Sequence, residues 1–231
     1  MDAFKSNQSV GEIVSIMPSA SEIFKKYRID FCCGGDNQLT DAIREGNLDE
    51  DEVLKKLNEA FKVNEKIKKE IRDFKEMCPV ELIEYIKNTH HVYVKKTLPE
   101  LGELTLKIMG VHGANHAVLF MVHELFSKLK AELERHLIKE EEILFPLFKE
   151  YESEPSAELL ARINKVKSEL QNEHDGAGNI LKELRAITED YKVPLDGCNT
   201  YFLTFDRIKE LESDLFQHIH LENNILFKQI I

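Results

Sequence analysis

Histidine and glutamate recur at one spacing in two places. His136 and Glu140 lie in HLIKEEEILFP, and His218 and Glu222 lie in HIHLENNILF. A helix turns about 100° per residue, so residues four apart share a face one turn apart. Each pair can therefore aim an imidazole nitrogen and a carboxylate oxygen at the same cation. Ile143-Leu144-Phe145 and Ile225-Leu226-Phe227 follow at matching offsets. A single His-x-x-x-Glu is a common accident on a charged helix. Two of them, each with the same apolar tail, point to a metal site between facing helices.

The surrounding pattern puts these groups on core faces. His218 follows Leu211 and Leu215, and His136 follows Leu129 and Leu133. A carboxylate continuing such a face is costly to bury unless it is paired or coordinated. His174 follows Val166 and Leu170 and also faces inward, supplying a ligand from a third helix. It lies in EHDGAG, where glycine inside a helix costs about 1 kcal/mol relative to alanine and leaves space beside the site. His90 and His91 both border the stripe of Ile83, Ile86, Val94 and Leu98, and periodicity does not choose between them. His220, about 200° around the helix from His218, is expected to face away, and His123 is expected at the surface. His112 and His116, near a turn, are left as outlying groups or a transient metal site.

The set is then four histidines and two glutamates. Imidazole with carboxylate suits iron, zinc or manganese, and six such ligands exceed one tetrahedral zinc. If both glutamates bridge two ions, the protein offers roughly eight of the dozen contacts that two six-coordinate ions accept. Solvent, an oxo bridge or a small ligand completes the rest. The expectation is two iron ions per chain, oxo- and carboxylate-bridged and open to exchange.

A second kind of chemistry stands near the start, in DFCCGGD. Adjacent Cys32 and Cys33 have Cα atoms about 3.8 Å apart, short of the roughly 4.4–6.8 Å that a relaxed disulfide spans. They read as two thiols beside a Gly34-Gly35 turn entering a short helix, whose N–H groups favour thiolate. That is a redox or metal-transfer site. Cys78 and Cys198 have no partner motif and are expected to be structural.

The elements that must position these groups are helical. Ser9 with Glu12 and Ser19 with Glu22 fit the capping-box pattern and start two short helices separated by Pro18. A third covers about 38–45 and ends at Gly46; Asp49 or Asp51 caps a fourth carrying Val53, Leu54, Leu57 and Phe61. Residues 62–76, with Val63, Ile67, Ile71 and Phe74 in helical spacing, read as a helical connector. After Pro79 come four long helices. The first carries Pro99, which should kink it or shift its register, and Gly110 and Gly113 mark the loop after it. The others span about 114–151, 156–188 and 198–230. No segment alternates like a strand. The fold class is all-α: a small helical domain, 1–76, and a four-helix bundle, 77–231.

The chain has 231 residues, 42% hydrophobic and 32% charged, with a formal net charge of −11. That charge argues against a nucleic-acid or anionic-membrane binder. No apolar run reaches the ~18 residues of a membrane helix, and MDAFKSNQSV lacks a signal peptide's apolar core. The cytoplasm is the expected compartment, where thiols stay reduced.

On CCGG, HHVYVKKTLPEL, HLIKEEEILFP, NEHDGAG and HIHLENNILF, in that order, the chain resembles the di-iron iron–sulfur cluster repair (RIC) proteins. Residues 80–231 resemble a hemerythrin-like four-helix domain. The resemblance implies that His91, rather than His90, is the ligand on the first long helix. His136, Glu140, His174, His218 and Glu222 complete the set, with the glutamates as bridges. It implies a role in repairing iron–sulfur clusters damaged by oxidative or nitrosative stress, by iron donation, with damaged iron–sulfur proteins as clients. Oxygen-carrying hemerythrins have His-x-x-x-His on the third helix. Here Gly178 stands four after His174, which favours a more open, labile centre. The rival expectations are a di-iron nitric oxide or peroxide reductase and a module sensing O2 or NO. A second copy of the chain is a candidate partner.

Overall fold

The structure, a computed structural model, describes residues 3–67 and 74–230. Every regular element among them is helical, and the one strand-like pairing is an isolated antiparallel bridge between Ser9 and Gln38. The all-α expectation holds. The chain separates into two compact units: residues 1–82 with 216–231, and residues 83–215. The end of the chain thus packs with its beginning, which a cut near residue 76 does not anticipate.

The first unit holds α1 (Val10–Ile16), α2 (Ala20–Tyr27), α3 (Leu39–Glu45) and α4 (Glu50–Ile67). Ser9 caps α1, its Oγ accepting the Glu12 N–H at 3.2 Å. Ser19 makes no such cap: it is already helical, and the Pro18 carbonyl accepts from Ser21 instead. Asp49, not Asp51, caps α4 by accepting the Glu52 N–H at 3.0 Å. Val10, Ile13, Phe24, Phe31, Leu39 and Leu57 form the core. The Phe31 ring meets Phe216 edge-on at 6.2 Å. Burying each such ring contributes about 2–3 kcal/mol, and the edge-to-face pair about 1 kcal/mol more. The expected helical connector is helical through Ile67 as part of α4; residues 68–73, with Ile71, lie outside the described residues.

The second unit is built from four helical rods. The first runs from α5 (Pro79–Ile86) through a π-turn, Lys87–His91, into α6 (Val92–His112). The second runs from α7 (Val118–Lys139) through a π-turn, Glu140–Leu144, into α8 (Phe145–Ser153). The third is α9 (Ala157–Ile187), and the fourth begins α10 (Asn199–Leu221). Lys149–Glu84, Lys139–Glu169, Arg185–Glu212 and Arg207–Glu100 join consecutive rods and close the fourth onto the first. Each rod therefore has two neighbours, as in a four-helix bundle. Pro99 and Gly110 both sit inside α6, so the expected loop begins only at Gly113. No helix among the described residues is long and apolar enough to cross a membrane.

The π-turns were not foreseen. In the second rod the Phe145 N–H reaches back five residues to the Glu140 carbonyl. After α10 the Phe227 N–H does the same to Glu222. Each π-turn holds one extra residue, which rotates everything after it by about 100°. Leu144 and Phe145 are buried, while Ile143, expected in the core, is 45% exposed.

Candidate metal centre

In the 83–215 unit, Glu140 is fully buried at the start of its π-turn. His136 Nε2, one turn earlier, lies 3.2 Å from Glu140 Oε1. His91 Nε2, from the first rod, lies 3.4 Å from Oε2. His174 Nε2, from α9, is 3.9 Å from Oε1 and 3.0 Å from His136 Nε2. His136, Glu140 and His174 each offer an atom within 4.8 Å of the others, as do His91 and Glu140. Three of the predicted histidines are thus gathered on one carboxylate. His91 is the member of its pair that does this. His90 is buried beside it, but its Nδ1 meets Asp214 Oδ1 at 2.9 Å.

A further layer fixes which ring nitrogen faces Glu140. His91 Nδ1 donates to Glu141 Oε1 at 2.7 Å, and His136 Nδ1 to Glu173 Oε2 at 2.8 Å. An imidazole that gives its Nδ1 proton to a carboxylate leaves the Nε2 lone pair for a cation. A lysine steadies each carboxylate: Lys95 Nζ reaches both Glu141 oxygens at 2.8 Å, and Lys139 Nζ reaches Glu173 at 2.9 Å. The His136 bond, reinforced by Lys139, holds Glu173 at a pKa of about 2. At Glu141 burial pushes upward, but the bonds from Lys95 and His91 outweigh it and the net shift is down. Glu141, Glu173 and Asp214 were missed from sequence. Their signals were a basic residue three or four after each histidine, Lys95 and Lys139, and glutamates next to Glu140 and His174.

The donor set fits a metal. An ionised carboxylate removed wholly from water costs several kcal/mol unless charge compensates it. Two of the imidazoles around Glu140, those of His91 and His136, are held by outer carboxylates with their Nε2 atoms inward, which suits a cation rather than an apolar filler. Beside them lies a cleft of about 550 Å³, lined by His136, His174, Gly176 and Ala177 among others. The helix-interior glycine predicted to leave space does so there.

In the other unit, His218 Nε2 lies 3.1 Å from Glu222 Oε1, and both are buried. His220, expected to face away, is also buried: Nδ1 meets the Phe31 carbonyl at 3.3 Å and Nε2 meets Ser15 at 3.4 Å. The far face of this helix end is covered by the N-terminal residues, which periodicity alone cannot report. Burial, chiefly, depresses its pKa to about 4. His123, expected at the surface, is half-buried and meets Thr105 at 3.0 Å.

The thiols lie in this same unit. Asp30 Oδ1 accepts from the backbone N–H groups of Cys32, Cys33 and Gly34 at 3.1–3.2 Å and faces Cys32 Sγ at 3.3 Å. The two sulfurs are 3.8 Å apart and unbonded. Asp30, Cys32 and Cys33 stand close enough together to hold a cation. Cys32 is buried, and its bond to Cys33 together with burial pushes its thiol well up. This is opposite to the expected thiolate bias, because the Cys33 thiol and burial, with Asp30 adding to them, disfavour the thiolate. Asn224 ties the loop to the last helix, its Nδ2 donating to the carbonyls of Phe31 at 3.3 Å and Cys32 at 3.1 Å.

Residues 82–230 match the family described as Hemerythrin HHE cation binding domain, and residues 6–61 match a Domain of Unknown function (DUF542). The chain is 30% identical over 224 residues to "Iron-sulfur cluster repair protein ScdA" of Staphylococcus epidermidis, covering 96% of each. It is 33% identical over 224 residues to "Probable iron-sulfur cluster repair protein" of Haemophilus influenzae, covering 97% of this chain and 96% of that one. It is 33% identical over 225 residues to "Iron-sulfur cluster repair protein YtfE" of Escherichia coli, covering 97% of each.

Proposed function

Because the chain belongs to the hemerythrin-domain iron–sulfur cluster repair proteins, we propose that it serves to restore iron–sulfur clusters damaged by oxidative or nitrosative stress. The observation that carries the metal side of this reading is Glu140, fully buried with three imidazole nitrogens within 3.9 Å. We read His91, His136, Glu140, His174, His218 and Glu222 as ligands of two iron ions, with Glu140 and Glu222 as bridges. Bound iron would supply Lewis acidity, one-electron redox chemistry and, as cargo, the atom a damaged cluster has lost.

The chain's own residues set the terms on which iron is held. Glu141 and Glu173 keep the Nδ1 protons of His91 and His136, so both imidazoles present Nε2 as neutral donors. Histidines and carboxylates without thiolate make a hard, exchangeable site rather than a permanent one. The cleft beside His174, where no histidine follows one turn later, gives a small molecule or a chelating client a way in. Cys32 and Cys33 read as the thiols that take part in transfer, with Cys32 kept protonated at rest by the hydrogen bond to Cys33 and by burial. Damaged iron–sulfur proteins are the clients, and the cytoplasm is the compartment in which such clients and reduced thiols coexist.

The test is reactivation of a nitric-oxide-treated iron–sulfur dehydratase without added iron. The iron-loaded chain should restore activity, and the Glu140→Ala, Glu222→Ala variant should not. Equal recovery with both would refute the reading. The same cleft also favours a second reading, turnover of nitric oxide or a peroxide at the centre. Steady consumption of either with a reductant, at undiminished iron content, would select that one.

A further inference from the structure

The 83–215 unit carries a second cluster of chemical groups, at the opposite end of α6 from His91. The helix between them is 21 residues long, or about 30 Å at 1.5 Å per residue. There Cys198, which immediately precedes α10, has its exposed sulfur 3.2 Å from His112 Nε2. The His112 ring packs on Tyr201 at 5.4 Å and on His116 at 6.3 Å. His116 is itself held by both oxygens of Asp196, each 3.0 Å from its Nε2. A nucleophile, a base within hydrogen-bond reach and neighbours that hold the base in place is the arrangement that activates a thiol. Beside it opens a cleft of about 270 Å³, lined by His116, Tyr201, Phe205, Pro194, Ile187 and Lys192 among others. His116 and Tyr201 belong to both the cluster and the cleft.

We infer that Cys198 and His112 form a thiol-exchange site that takes up a low-molecular-weight thiol as a mixed disulfide, with its body in the adjoining cleft. The small disulfide that reacts is itself the oxidant, and the step balances with it. The Cys198 thiolate attacks one sulfur of a small disulfide RSSR, a Cys198–S–S–R bond forms, the original S–S bond breaks, and RS⁻ leaves and takes a proton from the His112 imidazolium. A second small thiol reverses it.

The environment favours this at Cys198 over the other exposed cysteine. The bond to His112, then the N–H groups of Tyr201 and Thr200, lower the Cys198 pKa to about 7. At neutral pH roughly half of such a thiol is ionised, against about 1% of an ordinary one near 9. The weaker nucleophilicity of a low-pKa thiolate (Brønsted β ≈ 0.4–0.5) returns most of that fifty-fold gain and leaves about fivefold. Asp196 and His116 pair with each other rather than converging on the sulfur, so this cluster reads as a thiol site and not as a metal site. Sequence alone placed Cys198 among structural cysteines, because its partner lies 86 positions away.

The test uses the full, iron-loaded chain with oxidised glutathione as the small disulfide, and mass-spectrometric peptide mapping over time. Cys78, exposed in the same chain, is the internal reference. Cys198 should form the mixed disulfide about five times faster than Cys78 at neutral pH. His112→Gln and His112→Ala should bring Cys198 down to the rate of Cys78 and leave Cys78 itself unchanged. Equal rates in the parent chain, or an unaltered Cys198 in both His112 variants, would overturn the assignment. So would protection of Cys198 by one equivalent of Co2+ with a thiolate charge-transfer band, which would make the cluster a metal site.

Discussion

The glycines of CCGG carry a steric prediction. A Cβ on Gly35 would stand 2.2 Å from Asn224 Oδ1 and 2.6 Å from its Cγ and Nδ2. Gly35→Ala must therefore expel the Asn224 side chain or push the Cys32–Cys33 loop away from it. Expulsion loses the Asn224 bonds to the Phe31 and Cys32 carbonyls, worth about 1 kcal/mol each. Alanine returns about 0.5 kcal/mol by restricting the unfolded chain. The net expectation is a loss of about 1.5 kcal/mol, and more if the loop moves. Asn224→Ala alone should cost about 2 kcal/mol. In the double variant the new methyl occupies the vacated space and keeps its roughly 0.5 kcal/mol, so the pair should cost about 1.5 kcal/mol, a coupling of about 2 kcal/mol. Gly110→Ala is the contrast. It lies inside α6, where an added methyl would meet nothing within 4 Å, and should stabilise by up to about 1 kcal/mol. Urea unfolding followed by circular dichroism measures all four variants. Additive costs for Gly35→Ala and Asn224→Ala, or a neutral Gly35→Ala, would refute the steric argument.

Other outcomes follow from the metal-site geometry. His91→Ala should lower iron occupancy, measured by elemental analysis, more than His90→Ala, because His90 Nδ1 is directed at Asp214 and His91 Nε2 at Glu140; the reverse order would reassign the ligand. Glu173→Gln should weaken iron binding about 10–100-fold in a chelator competition by loosening His136, and no change would mean that the outer carboxylates are only surface charges. Cys32→Ser with Cys33→Ser should keep iron content and visible absorption while impairing reactivation of a damaged iron–sulfur enzyme. Full reactivation by that variant would show that both cysteines are dispensable for transfer and serve packing alone.

Sequence periodicity reached the four long helices and the gathering of His136, Glu140 and His174, because core-facing residues repeat along each rod. It left His90 and His91 undecided, since both fall on the stripe and only cross-helix partners separate them. It missed the π-turns, because one extra residue per turn has no composition of its own. His220 was misplaced for another reason. A helix with one face in a bundle was given a solvent face, whereas the N-terminal residues cover it. The Cys32 environment was misjudged because its burial and the approach of the Cys33 sulfur are set by the fold and not by the motif. Cys198 gained its partner only through the fold.

The most direct test of the central claim is iron content with Mössbauer spectroscopy on the anaerobically purified, full-length chain. The account predicts two irons per chain, magnetically coupled, both lost in the Glu140→Ala, Glu222→Ala variant. One iron or a single zinc per chain, or two irons retained by that variant, would contradict it.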